Sequence, residues 1–220
     1  MDKIFYDKDG NMYCFKLKER IGSGNEGKVY KAGKDSCVKL FRSPRCSNSK
    51  SEKILRIISE LDLESLYRIR TLLYDDIGTL MGYIMTCYPE EHIDILTMPT
   101  EYTIDNMMRL YQVADALGSK NIRMHDLLPI NAILTATRII IIDADSYFLE
   151  KFESSNFNRH TVNFLFNDLY KRHLNLYHSA SDYTPQTTGA IKELFLHNSP
   201  EIVHKKLCRY KRPIDYLQDT

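Results

Sequence analysis

Four consecutive isoleucines, Ile139 to Ile142, run directly into Asp143-Ala144-Asp145. An aliphatic run of this kind reads as a buried strand, and a carboxylate at its end is costly unless a cation stands beside it. The segment therefore belongs either to a built ionic site or to an ordinary turn with two aspartates. It is also the longest aliphatic run in the chain, and it is far too short to span a bilayer.

Three further segments carry candidate chemistry. Ile21-Gly22-Ser23-Gly24-Asn25-Glu26-Gly27-Lys28-Val29 spaces its glycines so that backbone can approach phosphates without Cβ clashes. Val29 and Tyr30 continue as strand, which disfavours the dinucleotide version of such a loop, where a helix follows. Cys37-Val38-Lys39-Leu40 sets a lysine inside an apolar strand one hairpin further on. That lysine points either inward to phosphates or outward to solvent. In Met124-His125-Asp126-Leu127-Leu128-Pro129-Ile130-Asn131, an aspartate precedes an asparagine by five positions with a proline fixing the turn. The spacing suits a base plus a metal ligand, or an Asx-type loop capping its own backbone.

The organisation around these segments is uneven. Strands are expected within Tyr13 to Ile21, over Lys28 to Ala32 and Ser36 to Phe41, and over Leu80 to Cys87. A helix is expected from about Ser49, with Ile54, Leu55, Ile57, Ile58 and Leu61 at helical spacing, and another over Asp105 to Gly118 with Gly118 as C-cap. Leu63 to Leu73 is amphipathic without a clear period. Ala132 to Leu134 and Arg138 to Ile142 fit a small hairpin. From Tyr147 onward the pattern is mainly helical, with loops near Ser179 to Thr188 and after Asn198.

Composition narrows the class. The 220 residues are 43% hydrophobic and 27% charged, an ordinary globular balance, and the net charge of +1 supplies no bulk field toward nucleic acid or an anionic membrane. Only His204 to Arg212 is locally basic. Cys14, Cys37, Cys46, Cys87 and Cys208 include no CxxC pair and are expected as reduced thiols of a cytoplasmic protein. The spacings of His160, His173, His178, His197 and His204 match no metal motif.

Taken in order, the glycine loop, strand lysine, helix glutamate, Asp126–Asn131 loop and Asp143 resemble the protein-kinase family over roughly Phe15 to Tyr147. The resemblance implies an α+β, two-lobed kinase-like fold, with an N-lobe over residues 1–88 and a reduced, mainly helical C-lobe over 89–220. It implies ATP and Mg²⁺ (or Mn²⁺) as cofactors and a Ser/Thr protein hydroxyl as acceptor. Gly22, Gly24 and Gly27 would cover the phosphates, flanked by Ile21 and Val29. Lys39 would hold the α- and β-phosphates, paired with Glu52. Met85 to Tyr88, with Cys87, would be the hinge that bonds adenine through its backbone. Asp126 would accept the hydroxyl proton, and Asn131 and Asp143 would bind the metal.

The chain departs from the family's pattern at several points. Met124, His125 and Leu128 replace the family's usual histidine, arginine and lysine. Asp145 stands where glycine is usual, as a second metal ligand or, preferably, a cap. Beyond Asp145 only 75 residues remain, without an Ala-Pro-Glu motif. A small-molecule kinase and a nucleotide-binding pseudokinase scaffold are the alternatives.

Overall fold

The computed structural model describes residues 3–45, 49–89, 91–177 and 185–219. β-branched and aromatic residues crowd the first part of the chain, and it folds as strands. β1 (Lys3–Tyr6) and β2 (Met12–Phe15) form a hairpin, and β3 (Arg20–Ser23), β4 (Gly27–Lys31) and β5 (Ser36–Arg45) form a meander. After α1 (Lys50–Glu60), β6 (Ile69–Tyr74) and β7 (Leu80–Thr86) form another hairpin. All of these strands join one curled, antiparallel, seven-stranded sheet in the order β2-β1-β6-β7-β5-β4-β3. Ser49 starts α1 as its N-cap, accepting the Glu52 amide at 3.3 Å, and Ile54, Leu55 and Ile58 bury the helix's apolar face.

The rest of the chain is mainly helical. α2 (Thr100–Ser119) is followed by the short strands β8 (Ile122–Arg123), β9 (Ala132–Leu134), β10 (Ile139–Ile141) and β11 (Phe148–Leu149). α3 (Ser155–Tyr177), α4 (Pro185–Phe195), α5 (Pro200–Leu207) and α6 (Pro213–Gln218) complete the chain. The protein is thus α+β, with six α-helices among the described residues. α3 packs against both α2 and α4. No described helix is long and apolar enough to cross a membrane.

Two features position the site. β5 lies between β4 and β7, and its side chains alternate between two faces. Val38 and Leu40 join the small cluster built on Phe5 and Leu73, whereas Phe41 joins the main core with Ile54, Leu55 and Ile58. Lys39 shares Phe41's face and is 4% exposed, so its side chain turns inward and not to solvent. The second feature is a clasp on β10. The Ile141 amide donates to the Ser65 carbonyl at 2.8 Å, and the Tyr67 amide donates to the Ile141 carbonyl at 2.9 Å. The clasp ties the isoleucine strand to the segment leading into β6.

Several expectations change. An N-terminal hairpin precedes the expected meander, and β1 joins the sheet beside β6. Leu63 to Leu73 is loop and then strand β6, because the loop part is spent on the β10 clasp. Gly118 is not a C-cap: the helix continues to Ser119, and a β-carbon on Gly118 would stand 2.4 Å from the Ser155 amide, so the glycine serves the contact with α3. Pro185 to Thr188 opens α4, and α5 begins at Pro200, each with a proline at the helix start where its missing N–H costs nothing. His178 and residues 179–184 lie outside the described residues, as does Cys46. Cys37 and Cys87 are not free thiols but are joined as a disulfide, their Cα atoms 5.1 Å apart, while Cys14 and Cys208 are free and exposed.

Candidate active site

The β9–β10 hairpin brings the loop and the aspartates together. Ala132 pairs with Ile141, and just outside that pair the Ile142 amide donates to the Asn131 carbonyl at 2.9 Å. Asn131 therefore stands beside the residue that leads into Asp143. The Asn131 side chain reaches back, its Nδ2 donating to the Asp126 carbonyl at 2.7 Å. The Leu128 amide donates to the same carbonyl at 2.9 Å. The loop from Asp126 to Asn131 is thus closed on itself, with Pro129 opening a 3-10 turn.

Asp126 and Asp143 have positive φ values, 56° and 64°, which only Asn121 shares among the described non-glycine residues. Left-handed backbone is uncommon for residues with a β-carbon, and sustained strain concentrates at functional sites. Asp126 is exposed; Asp143 is half-buried. The loop is anchored from behind by a residue that sequence reasoning missed. Asn158 of α3 is fully buried; its Oδ1 accepts the Met124 amide at 2.8 Å, and its Nδ2 donates to the carbonyls of Ala114 and Ile122. Met124 fills the core. His125 is exposed, its ring 4.8 Å from that of Phe148.

Lys39 crosses from β5 to both aspartates. Its ammonium donates to Asp143 and lies 2.6 Å from Asp145, whose carboxylate is completely buried. The costly carboxylate at the end of the isoleucine strand has its cation. Burial works to lower the lysine's pKa, but Asp145 and Asp143 outweigh it and hold the value above the usual one. Burial pushes Asp145 up; Lys39 opposes the shift and Asp143 adds to it. Tyr147 follows directly, and burial and then Asp143 raise its hydroxyl above the ordinary value.

Other predicted residues fall elsewhere. Glu52 is buried but does not serve Lys39: it accepts from Arg56 Nε at 2.9 Å and from the Tyr74 hydroxyl at 2.8 Å, with Lys8 Nζ at 3.4 Å. The pair expected from the resemblance is replaced by the pair with Asp145. Asp145 is likewise no cap, since its side chain is spent on the lysine.

The glycines form the β3–β4 hairpin, in which the Gly24 amide donates to the Gly27 carbonyl at 3.0 Å. Gly27 answers to the sheet, because a β-carbon there would stand 2.5 Å from the Leu40 carbonyl, whereas Gly24 faces open space. Ile21 is exposed and Val29 half-buried on the flanking strands. Met85, at the end of β7, pairs with Cys37 and Ile69. The Cys87 amide already donates to the Asp35 carbonyl at 3.2 Å, so that hinge donor is occupied.

A cleft of about 600 Å³ opens beside Asp145, lined by Arg45, Lys50, His125, Ser146 and Tyr147 among others. Neither Asn131 nor Asp143 lines this cleft; both carry hard oxygens, the donor type Mg²⁺ prefers, but among the described residues no group of three or more His, Cys, Asp or Glu side chains comes together to hold a metal ion. No protein-family model matches the chain, and no curated protein is detectably similar to it.

Proposed function

We propose that the protein is an ATP- and Mg²⁺-dependent phosphotransferase with a two-lobed, protein-kinase-like arrangement, residues 1–88 against 89–220, passing the γ-phosphate to a Ser or Thr hydroxyl of a protein. The observation that carries the reading is one juxtaposition. Lys39 from the sheet is bonded to Asp143, and Asp143 stands next to the closed loop that holds Asp126 and Asn131. A buried lysine supplies the cation for the α- and β-phosphates. Asn131 and Asp143 would hold Mg²⁺, which supplies charge neutralisation on the phosphate oxygens. Asp126, exposed at the loop's start, would take the hydroxyl proton. The glycine hairpin, with Gly24 facing open space, is free to lie over a phosphate chain.

A small-molecule acceptor is the second reading, favoured by a specific observation. The turn carrying Asp145 ends at Ser146 and α3 begins at Ser155, so only residues 147–154 lie between them. That stretch gives little room for a peptide-docking segment. Purified protein, γ-labelled ATP and Mg²⁺ are incubated with a generic protein substrate and, separately, with a metabolite extract. Label on the protein supports the first reading, and label only on a metabolite supports the second. No transfer to either, or undiminished transfer by Asp126→Ala, overturns both.

A further inference from the structure

We infer that Asp145, and not Glu52, is the carboxylate that positions Lys39. The ion pair is short, 2.6 Å, and closed to water: the carboxylate of Asp145 is fully buried and the lysine side chain is 5% exposed. Neither Asp145 oxygen has a hydrogen-bond donor other than this ammonium among the described residues. A buried carboxylate without its cation is expensive, so the pair holds both partners in place.

The backbone under Asp145 is fixed as well. It sits in the 3-10 turn Ala144–Ser146, between a fully buried Ala144 and a buried Tyr147. The Ser146 hydroxyl donates to the His125 carbonyl at 3.2 Å, and Arg45 reaches the Asp145 carbonyl at 3.5 Å. Asp143 differs in exposure. Its side chain is 35% exposed, so it can turn to a cation while Asp145 keeps the lysine.

Glu52 is committed to another cluster. Moving it to Lys39 would strip the bonds from Tyr74 and Arg56 in a buried place. The placement of Lys39 is thereby set by the segment that also carries the metal aspartate, and not by α1. The ion pair stands on geometry alone, whereas the lysine's role toward phosphate rests on the phosphotransferase reading.

The experiment has two arms. In the first, melting temperatures of the full chain without nucleotide are compared for Lys39→Met, Asp145→Asn, Glu52→Gln and the two double variants that contain Lys39→Met. Asp145→Asn alone is expected to lower the midpoint by about 10 °C. In the Lys39→Met background it should cost nothing or restore stability, while Glu52→Gln should add independently. An additive effect of Asp145→Asn, or a coupled effect of Glu52→Gln, overturns the anchor.

In the second arm, Mg-ATP binding and phosphoryl transfer to a generic protein substrate are measured. Asp145→Asn should keep unit binding stoichiometry and a KM for ATP within about fivefold, yet lose about 100-fold in kcat, the cost of a displaced catalytic group. Glu52→Gln should stay within about threefold in kcat. A larger kcat loss from Glu52→Gln than from Asp145→Asn overturns the positioning role. If the wild type neither binds nor transfers, the phosphotransferase reading fails, and the first arm still decides the anchor.

Discussion

A β-carbon on Gly82 would stand 2.0 Å from the carbonyl oxygen of Lys39. β7 passes β5 that closely because residue 82 has no side chain, and the contact falls beside the lysine of the candidate site. Gly82→Ala must therefore push two central strands apart. It is expected to cost about 3 kcal/mol or more, read as a loss of denaturation midpoint. Gly24→Ala meets nothing within 4 Å and should change stability by less than about 0.5 kcal/mol. A stable Gly82→Ala protein would contradict this strand packing.

Asn158 supplies the second prediction. It holds the Met124 amide at the entry to the Asp126 loop, together with the carbonyls of Ala114 in α2 and Ile122 in β8. Asn158→Leu leaves the buried Met124 amide without its side-chain acceptor and removes the side-chain donor from the Ala114 and Ile122 carbonyls. A loss of about 3 kcal/mol is expected, since each unsatisfied buried group costs about 1–3 kcal/mol. Hydrogen exchange at Met124 should rise further than in the sheet. Uniform loosening of the whole chain would argue against this local anchoring role.

The alkaline limb of the stability profile gives the third. Tyr67 and Tyr83 are fully buried, and burial, with Asp145 next, raises both hydroxyls well above 10.0. Tyr147 is raised too, and Lys39 is held above 10.5. A group whose folded pKa exceeds its unfolded one contributes stability below the unfolded value, and that contribution is lost as pH rises through the folded value. All four act in one direction. The melting temperature should be nearly level up to about pH 9 and fall steeply above about pH 10. Tyr147→Phe should flatten that fall, as followed by melting curves and tyrosinate absorbance. A profile level through that range would contradict the burial of these groups.

The parts of this fold that were legible in sequence are those fixed by neighbours in the chain. The Ser49 cap with Ile54, Leu55 and Ile58 marks α1, and the alternating residues around Lys39 mark β5. The Ala132–Ile142 hairpin is legible for the same reason. What escaped depends on distant partners. Nothing local to Leu63–Tyr67 shows that its backbone will clasp Ile141, and nothing near Lys3 shows that Tyr6 will pair with Tyr74. The site divides in the same way. Lys39, Asp126, Asn131 and Asp143 stand out by spacing. The lysine's partner does not, because the resemblance points to Glu52, and Asp145 reads as a cap or a metal ligand until the turn after β10 places it 2.6 Å from the ammonium. Asn158 carried no signal, since one asparagine in a helix resembles any other. Cys37 and Cys87, 50 residues apart, gave no spacing cue to their bond.

The most direct test is a single-turnover measurement with γ-labelled ATP and Mg²⁺, following the label in wild type and in Asp143→Asn. The expected result is label leaving ATP for an acceptor hydroxyl or water in the wild type. Transfer should fall at least about 1,000-fold in Asp143→Asn, the scale on which phosphoryl transfer depends on charge stabilisation at its phosphates. Label that stays on ATP in the wild type, or leaves equally fast in Asp143→Asn, would contradict a phosphotransfer site at Lys39, Asp126, Asn131 and Asp143.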